Sequence, residues 1–330
     1  MIRSSRTLLF VLLTALTALL AACGGGSNSS DTGTVTVGLT DAPVDDVLKL
    51  DVSFVGITAK PQNGKQISWT FSPPREIDLM SLQNGESEIL LDNEELPAGP
   101  YNWIRLDINP EPGTSTAMLE SNGQTLPIDV NVPSERLRFV SGFVVTADKQ
   151  TAFMIDWDVR RSLSLPTGLD VAQLRPAWRV TDMATYASIG GTVADALVED
   201  NPDTCDPVDP NDTNSLQGKV VYLYPREDGQ DVAYDDIYVT DTADEGPMAT
   251  TPVVWNADMT GYEYRFDYLP ARDPNDPESQ VRNYALAFTC QGASDEPGVQ
   301  NDDMVFRSYV DVDDLVDGQD QLDANFVPPQ

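Results

Sequence analysis

Hydrophobic and polar residues alternate along most of the chain beyond residue 32, a pattern that is typical of half-buried β-strands. The alternation runs through residues 35–39 and again through residues 48–54. After Phe54 the hydrophobic positions change phase and continue at Val55 and Ile57. A change of phase within one strand predicts a β-bulge at this point.

The rest of the first half of the chain also predicts strands. Asn122-Gly123 separates two short alternating runs and is typical of a two-residue hairpin turn. The further strands predicted here are residues 67–71, 77–82, 101–108, 117–120, 125–130, 136–146 and 151–159.

A second group of strands begins near Ser188 and is separated by long, acidic, proline-rich loops. The strands predicted there are residues 191–193, 219–224, 262–268, 284–288, 306–312 and 321–326. Helical periodicity is nearly absent throughout. We therefore predict an all-β protein of two antiparallel Greek-key β-sandwich domains in tandem, residues 33–184 and residues 185–330.

The N-terminus predicts an export signal over residues 1–22. Arg3 and Arg6 precede an apolar run over residues 7–20, which is too short to span a bilayer and suits a signal-peptide core. The run is followed by small residues and then by a glycine- and serine-rich stretch, which predicts a flexible tether over residues 23–32.

The end of this signal, Leu20-Ala21-Ala22-Cys23, resembles the bacterial lipobox. The resemblance implies cleavage before Cys23, a lipid on its thiol and anchoring to a membrane. Lipoproteins that stay in the inner membrane carry Asp directly after the lipidated cysteine. This chain has Gly24 there, which by analogy implies the outer membrane of a Gram-negative bacterium. The alternative is an ordinary secretory signal in which Cys23 is incidental.

Composition excludes several classes of function. The chain of 330 residues has 53 acidic and 20 basic residues, a net charge of −33, and no histidine. This charge argues against nucleic-acid binding, which needs clustered Lys and Arg. Without histidine there is no Ser-His-Asp or Cys-His nucleophile and no His-ligated zinc.

Two cysteines remain once Cys23 is assigned to the lipid. In an oxidising compartment we expect Cys205 and Cys290 to form a disulfide, the alternative being two free thiols.

The first half of the chain resembles the bacterial domain-of-unknown-function family 4382 over about residues 33–184. The resemblance implies a β-sandwich in an exported lipoprotein and provides no catalytic residues to transfer. It rests on an ordered series of motifs: residues 39–46 (LTDAPVDD), 77–79 (IDL), 96–101 (LPAGPY), 104–106 (IRL), 153–158 (FMIDWD) and 175–180 (RPAWRV).

Residues 188–330 resemble a carboxypeptidase-regulatory, transthyretin-like sandwich. The supporting motifs are residues 190–193 (GGTV), 262–271 (YEYRFDYLPA) and 316–318 (VDG). An insertion over residues 272–280 replaces the Gly-x-Tyr that this family pattern has next. The resemblance implies a carbohydrate-binding-like fold, which by itself does not assign a ligand.

Asp156 and Asp158 are the candidates for acid–base chemistry without histidine. Residues two apart on a strand lie about 6.6–6.8 Å apart, and the carboxylates of inverting glycosidases lie about 6.5–9.5 Å apart. The alternative places both carboxylates on the solvent face while Phe153, Ile155 and Trp157 pack inward. We expect both carboxylates to lie on the solvent face and the protein to be non-enzymatic. The enzymatic hypothesis is a glycoside hydrolase that uses these carboxylates alone.

Asp41, Asp45 and Asp46 are candidates for a calcium site because oxygen ligands suit this ion. The alternative, which we favour, is an Asx-turn at Asp41 with Pro43 fixing the bend. No other cofactor is expected.

Five aromatic residues are candidates for stacking on sugars: Trp69, Trp255, Tyr262, Tyr264 and Tyr268. The three tyrosines share one strand parity, so they predict either an exposed aromatic stripe or core packing. We expect a binding or structural module of the cell envelope, with a glycan or surface polymer as ligand. The alternative is a protein–protein scaffold or adhesion module of the outer membrane with an envelope protein as partner.

Overall fold

The computed structural model describes residues 31–42, 47–82, 85–121, 124–131, 136–138, 142–164, 171–174, 177–199, 205–212, 215–229, 231–238, 246–296, 299 and 304–328. The first sandwich contains strands β1 (Thr32–Ala42), β2 (Val47–Pro61), β3 (Ile67–Asp78), β4 (Glu88–Pro97), β5 (Gly99–Ile108), β6 (Thr116–Ser121), β7 (Gln124–Asn131), β8 (Arg136–Arg138), β9 (Phe143–Val145), β10 (Gln150–Asp158), β11 (Leu163–Ser164), β12 (Val171–Leu174) and β13 (Trp178–Asp182). The second sandwich contains β14 (Tyr186–Val193), β15 (Val220–Arg226), β16 (Ala249–Pro252), β17 (Val254–Trp255), β18 (Tyr262–Pro270), β19 (Asn283–Thr289), β20 (Phe306–Val312) and β21 (Asp320–Gln321).

Helical structure within the described residues is limited to single turns. They are the α-helical turns Val159–Ser162 and Asp195–Val198 and the 3-10 turns Leu79–Leu82 and Gly292–Ser294. None of the helices in the described part of the chain is long and apolar enough to cross a membrane.

The first sandwich has two sheets that enclose one hydrophobic core. Sheet 1 has the strand order β13-β10-β1-β4. Sheet 2 has the order β11-β12-β7-β6-β2-β5-β8, with β3 also pairing with β2 and β9 with β5. The fully buried core residues include Val35, Val37 and Leu39 of sheet 1 and Leu50, Val52 and Leu106 of sheet 2. The predicted all-β sandwich is therefore confirmed.

The predicted bulge in β2 is also confirmed. The pairing of β2 with both β3 and β5 shifts register between Phe54 and Gly56. Phe54 before the shift and Ile57 after it are both fully buried, so the bulge restores the hydrophobic face of the strand. Gly56 suits the close approach of β3, because a Cβ at this position would lie 2.2 Å from the carbonyl oxygen of Trp69.

The second sandwich repeats the two-sheet arrangement. Sheet 3 has the order β17-β18-β14-β21 and sheet 4 the order β16-β15-β19-β20. The other face of sheet 4 carries a smaller hydrophobic cluster that includes Tyr222 and Ile237. The predicted disulfide between Cys205 and Cys290 is present, with the two α-carbons 5.1 Å apart.

Most strand pairings are antiparallel, as predicted, but three are parallel: β1 with β10, β7 with β12, and β14 with β21. Each parallel pair joins strands that are far apart in the chain, since parallel strands need a long crossover connection. The predicted strand over residues 77–82 is partly wrong, because β3 ends at Asp78 and a 3-10 turn follows.

The two sandwiches contact each other through hydrogen bonds to backbone carbonyls. The Thr181 hydroxyl donates to the carbonyl oxygen of Tyr268 at 2.7 Å, and the Tyr268 hydroxyl donates to the carbonyl oxygen of Gly85 at 3.2 Å. Arg160 donates from the first sandwich to the carbonyl oxygen of Gly292 in the second.

Candidate functional site

A groove lies on the outer face of sheet 2, beside the bulge in β2. Thr58 of β2 lies opposite Ser68 of β3 on one side and opposite Arg105 of β5 on the other. Residues directly opposite on neighbouring strands share a face of the sheet. Ile57, the preceding residue, is fully buried in the core. Thr58, Ser68 and Arg105 therefore lie on the face that points away from the core.

A chain of hydrogen bonds connects these side chains through Asp107. Arg105 Nε donates to Asp107 Oδ1 at 2.7 Å, and Thr58 Oγ1 donates to Asp107 Oδ2 at 2.6 Å. The hydroxyls of Thr58 and Ser68 lie 2.9 Å apart. A hydroxyl has one proton to donate, so Ser68 is the donor to Thr58. The carboxylate is thus held from both sides by groups on two strands.

Trp103 completes the cluster. The guanidinium carbon of Arg105 lies 5.1 Å from the centre of the Trp103 ring. This distance is within the range of about 6 Å for a cation–π interaction, which adds to the ion pair in holding the guanidinium in one orientation.

The groove beside these residues has a volume of about 370 Å³. Ligand pockets in proteins range from about 300 to 1,000 Å³, so a small ligand or part of a polymer fits here. Its lining residues are Val55, Gly56, Thr58, Ser68, Trp69, Thr70, Arg105, Asp107, Ile108 and Pro110.

The predicted aromatic stripe on β18 is not formed. Tyr262 and Tyr264 are each only 2% exposed and belong to the core of the second sandwich. Their hydroxyls donate to Glu199 Oε1 and to the carbonyl oxygen of Ala324. Burial raises the pKa of both tyrosine hydroxyls well above the ordinary value. Core packing, the alternative interpretation of the pattern, is therefore the one that the structure supports.

The other three aromatic candidates are half-buried. Trp255 packs on Tyr262 with ring centres 4.7 Å apart. Tyr268 lies between the sandwiches, where a φ of +54° interrupts the alternation of its strand. Trp69 packs against the core of the first sandwich, and its Nε1 donates to Glu94 Oε2 at 3.0 Å. Trp69 lines the outer groove, and Tyr268 lines a small cavity between the sandwiches.

The prediction that Asp156 and Asp158 lie on the solvent face is wrong, because the second sandwich covers this end of β10. Asp156 forms an ion pair with Arg179, which also donates to the carbonyl oxygen of Asp267 at 3.5 Å. Asp158 is 9% exposed and accepts a hydrogen bond from the backbone N–H of Arg161, which caps the following helical turn. Burial raises the pKa of Asp158. Both carboxylates therefore have structural partners.

Asp41 is the one calcium candidate that lies among the described residues, since Asp45 and Asp46 lie outside them. Asp41 is 5% exposed and lines the cavity between the sandwiches together with Asp156 and Arg179. The cavity measures about 30 Å³, which is about the volume of one water molecule in the liquid. The part of the chain that the structure describes contains no group of three or more acidic or sulfur ligands able to hold a metal. The calcium hypothesis stays a prediction.

A larger groove, of about 960 Å³, lies on the second sandwich. It is bordered by the end of β15, the start of β19 and the segment between β15 and β16. Apolar and charged side chains both contribute, among them Val232, Met248 and Val281 and also Arg226, Asp228 and Arg282.

A buried acid lies where the two sandwiches meet. Asp295 is 6% exposed, and it accepts hydrogen bonds from the Tyr222 hydroxyl and from the backbone N–H of Ile237. Burial raises the pKa of Asp295 to about 6, although the hydrogen bond from Tyr222 and the charge of Arg160 act in the opposite direction. Asp295 makes its hydrogen bonds in the protein interior and lines neither groove.

Sequence reasoning did not select the residues of the outer groove. A signal was present in Trp103-x-Arg105-x-Asp107, because residues at positions i, i+2 and i+4 of a strand share a face. Arg105 entered only as part of a family motif. The partners Thr58 and Ser68 could not be recognised from the sequence, since strand pairing brings them together.

Residues 32–176 match the model of a protein family described as domain of unknown function (DUF4382). This match confirms the family resemblance over most of the predicted range. The transthyretin-like resemblance of the second half stays a prediction. No curated protein matches this chain.

Solved structures give only weak likenesses. A protein described as a candidate adhesin from Bacteroides ovatus is 7% identical, with 89% of this chain and 93% of that chain covered and a TM-score of 0.17. A protein described as a candidate cell adhesion protein from Bacteroides eggerthii is 10% identical, with 87% and 83% covered and a TM-score of 0.16. The fimbrial anchor protein Mfa2 from Porphyromonas gingivalis is 7% identical, with 87% and 100% covered and a TM-score of 0.16. Scores of this size carry no conclusion about function.

Proposed function

We propose that this chain is a non-enzymatic, lipid-anchored binding module of the Gram-negative outer membrane that binds a glycan in the groove on sheet 2. The observation that carries the proposal is the hydrogen-bonded cluster of Arg105, Asp107, Thr58 and Ser68 beside a groove of about 370 Å³. Sugars present many hydroxyls, and a fixed carboxylate, guanidinium and hydroxyl group together offer acceptors and donors for them. The proposed domain of residues 33–184 contains the whole groove.

The absence of an evident catalytic pair in this groove supports a binding role. Asp107 is the one carboxylate among the lining residues, and glycoside hydrolysis in most families uses two. Asp156 and Asp158, the pair considered from the sequence, are held by Arg179 and by a helix cap.

A groove-blocking variant tests glycan binding. Thr70 is exposed and lines the groove, so Thr70→Trp should fill part of it and weaken glycan binding at least about tenfold while leaving the fold intact. Thr260→Trp, at an exposed turn of the second sandwich, is the matched control. The full-length protein and both variants would be screened on a glycan array. If no glycan is bound, or if both variants bind as the wild type does, the groove is not a glycan site.

The membrane anchor is tested separately. Cys23→Ser removes the thiol that the lipid would modify, so we expect the variant to leave the membrane fraction after export. Unchanged fractionation, with the wild type and variant expressed equally, would contradict the lipid anchor.

A protein–protein scaffold or adhesion module is the second candidate function. It is favoured by the groove of about 960 Å³ on the second sandwich, where Val281 is 51% exposed. Partner capture from envelope extracts that survives Thr70→Trp but is lost with Val281→Glu would favour this candidate over glycan binding.

A further inference from the structure

The guanidinium of Arg105 is buried, held in place and directed at the groove. Its side chain is only 9% exposed, and Nε is bound to Asp107. Within the described part of the chain, the terminal nitrogens Nη1 and Nη2 make no hydrogen bond. Neither of them is fully buried, and Arg105 lines the groove. The N–H groups of these two nitrogens are therefore able to donate to a second anion.

A second Arg-x-Asp sequence in the same chain, Arg265-x-Asp267, shows an arginine whose terminal nitrogen has a carboxylate partner within the protein. Arg265 Nε donates to Asp267 Oδ1 at 2.7 Å, the same contact that joins Arg105 to Asp107. In that case the terminal Nη2 of Arg265 also donates to Asp320 Oδ1 at 3.0 Å. The protein thus provides a second carboxylate for Arg265. The structure describes no second carboxylate for Arg105, which instead lines the groove.

The strands around the groove are basic, in contrast to the chain as a whole. The net charge of the chain is −33, yet residues 47–78, 99–108 and 136–138 contain more basic than acidic residues. The basic residues are Lys49, Lys60, Lys65, Arg75, Arg105, Arg136 and Arg138, and the acidic ones are Asp51, Glu76, Asp78 and Asp107. In the register of β2 with β5, Lys60 lies opposite Trp103 and therefore shares the outer face with Arg105. Beside the groove, the positive charges of Lys60 and Arg105 exceed the negative charge of Asp107, so the local electrostatic potential should favour an anion.

From these observations we infer that the groove binds an acidic glycan, with Arg105 holding a carboxylate or sulfate group of the sugar through its two terminal nitrogens. The planar guanidinium matches a planar carboxylate in a bidentate contact. Trp103 on one side and Asp107 at Nε fix the orientation of the guanidinium, so little side-chain freedom is lost on binding. This inference rests on the proposed glycan-binding function and names the class of glycan.

Paired polymers test the inference with the full-length protein. Polygalacturonate is compared with neutral galactan, and dextran sulfate with dextran, by the retardation of the protein in native gels. We expect the acidic member of at least one pair to retard the protein and its neutral counterpart not to do so. The pair that responds distinguishes a carboxylate from a sulfate.

Arg105→Lys keeps the charge but removes the bidentate contact, so we expect it to weaken binding of the acidic polymer about tenfold. Arg265→Lys is the matched control, and we expect wild-type retardation from it. If Arg105→Lys does not fold, the wild type is tested at low and high NaCl, where binding of an anion should weaken as salt rises.

Equal retardation by neutral and acidic polymers, unaffected by Arg105→Lys or by salt, would overturn the inference and leave the proposed function standing. Binding of no glycan on the array would overturn both.

Discussion

The buried carboxyl of Asp295 makes the stability of this protein depend on pH in a predictable direction. Asp295 is only 6% exposed, and it accepts hydrogen bonds from the Tyr222 hydroxyl and from the backbone N–H of Ile237. Asp295→Asn removes the titrating group while keeping an oxygen that can accept one of these hydrogen bonds. The variant therefore isolates the cost of a buried charge at this position.

The magnitude follows from the pKa of Asp295, which burial raises from 3.8 to about 6. One pKa unit corresponds to about 1.4 kcal/mol, so the group contributes about 3 kcal/mol to the pH dependence of unfolding. Because the folded state holds the proton more tightly than the unfolded state, this stability is present below about pH 4 and is lost as the pH rises through about 6.

The assay is urea unfolding of the wild type and Asp295→Asn at several values between about pH 4 and pH 7. We expect the free energy of unfolding of the wild type, relative to that of the variant, to fall by about 2.5 kcal/mol over this range, because the unfolded-state carboxyl is already partly ionised at pH 4. Asp258→Asn, which removes an exposed carboxyl, is the control for the loss of one charge. A difference between wild type and Asp295→Asn that does not change with pH would refute the reasoning.

Two further predictions concern stability. Cys205→Ser opens the disulfide, whose cysteines are 85 residues apart. We expect the free energy of unfolding, measured by chemical unfolding, to fall by about 2–5 kcal/mol. A difference from the wild type that persists when the wild type is also reduced would contradict this explanation. Ser162→Ala removes the hydroxyl that accepts the hydrogen bond from the buried Trp157 Nε1–H, 2.9 Å away. We expect the free energy of unfolding, measured by thermal unfolding, to fall by about 1–3 kcal/mol. An unchanged midpoint would show that the indole finds another partner.

The sequence was sufficient for features that depend on neighbouring residues. The alternation over residues 35–39 and the change of phase after Phe54 predicted a strand and a bulge that the structure contains. The disulfide could be predicted because only two cysteines remained after Cys23 was assigned to the lipid. Each of these inferences uses a local period or a small number of alternatives.

The environment of each face could not be predicted in the same way. The parity of Tyr262 and Tyr264 correctly placed both on one face of β18, but parity does not say whether that face meets solvent or another sheet. The same difficulty affected Asp156 and Asp158, whose end of β10 is covered by the second sandwich.

By itself, the sequence determined that the chain is all-β and where its hydrophobic faces change phase, and it favoured a bond between Cys205 and Cys290. Only the tertiary structure decided which faces are covered and which side chains become neighbours across strands. Thr58 and Asp107 are 49 residues apart and form a hydrogen bond because β2 and β5 pair in one particular register. Alternation is a local property of the backbone, whereas strand register and sheet packing depend on contacts between distant parts of the chain. The groove at Arg105 depends on such contacts, so its existence became apparent only in the folded protein.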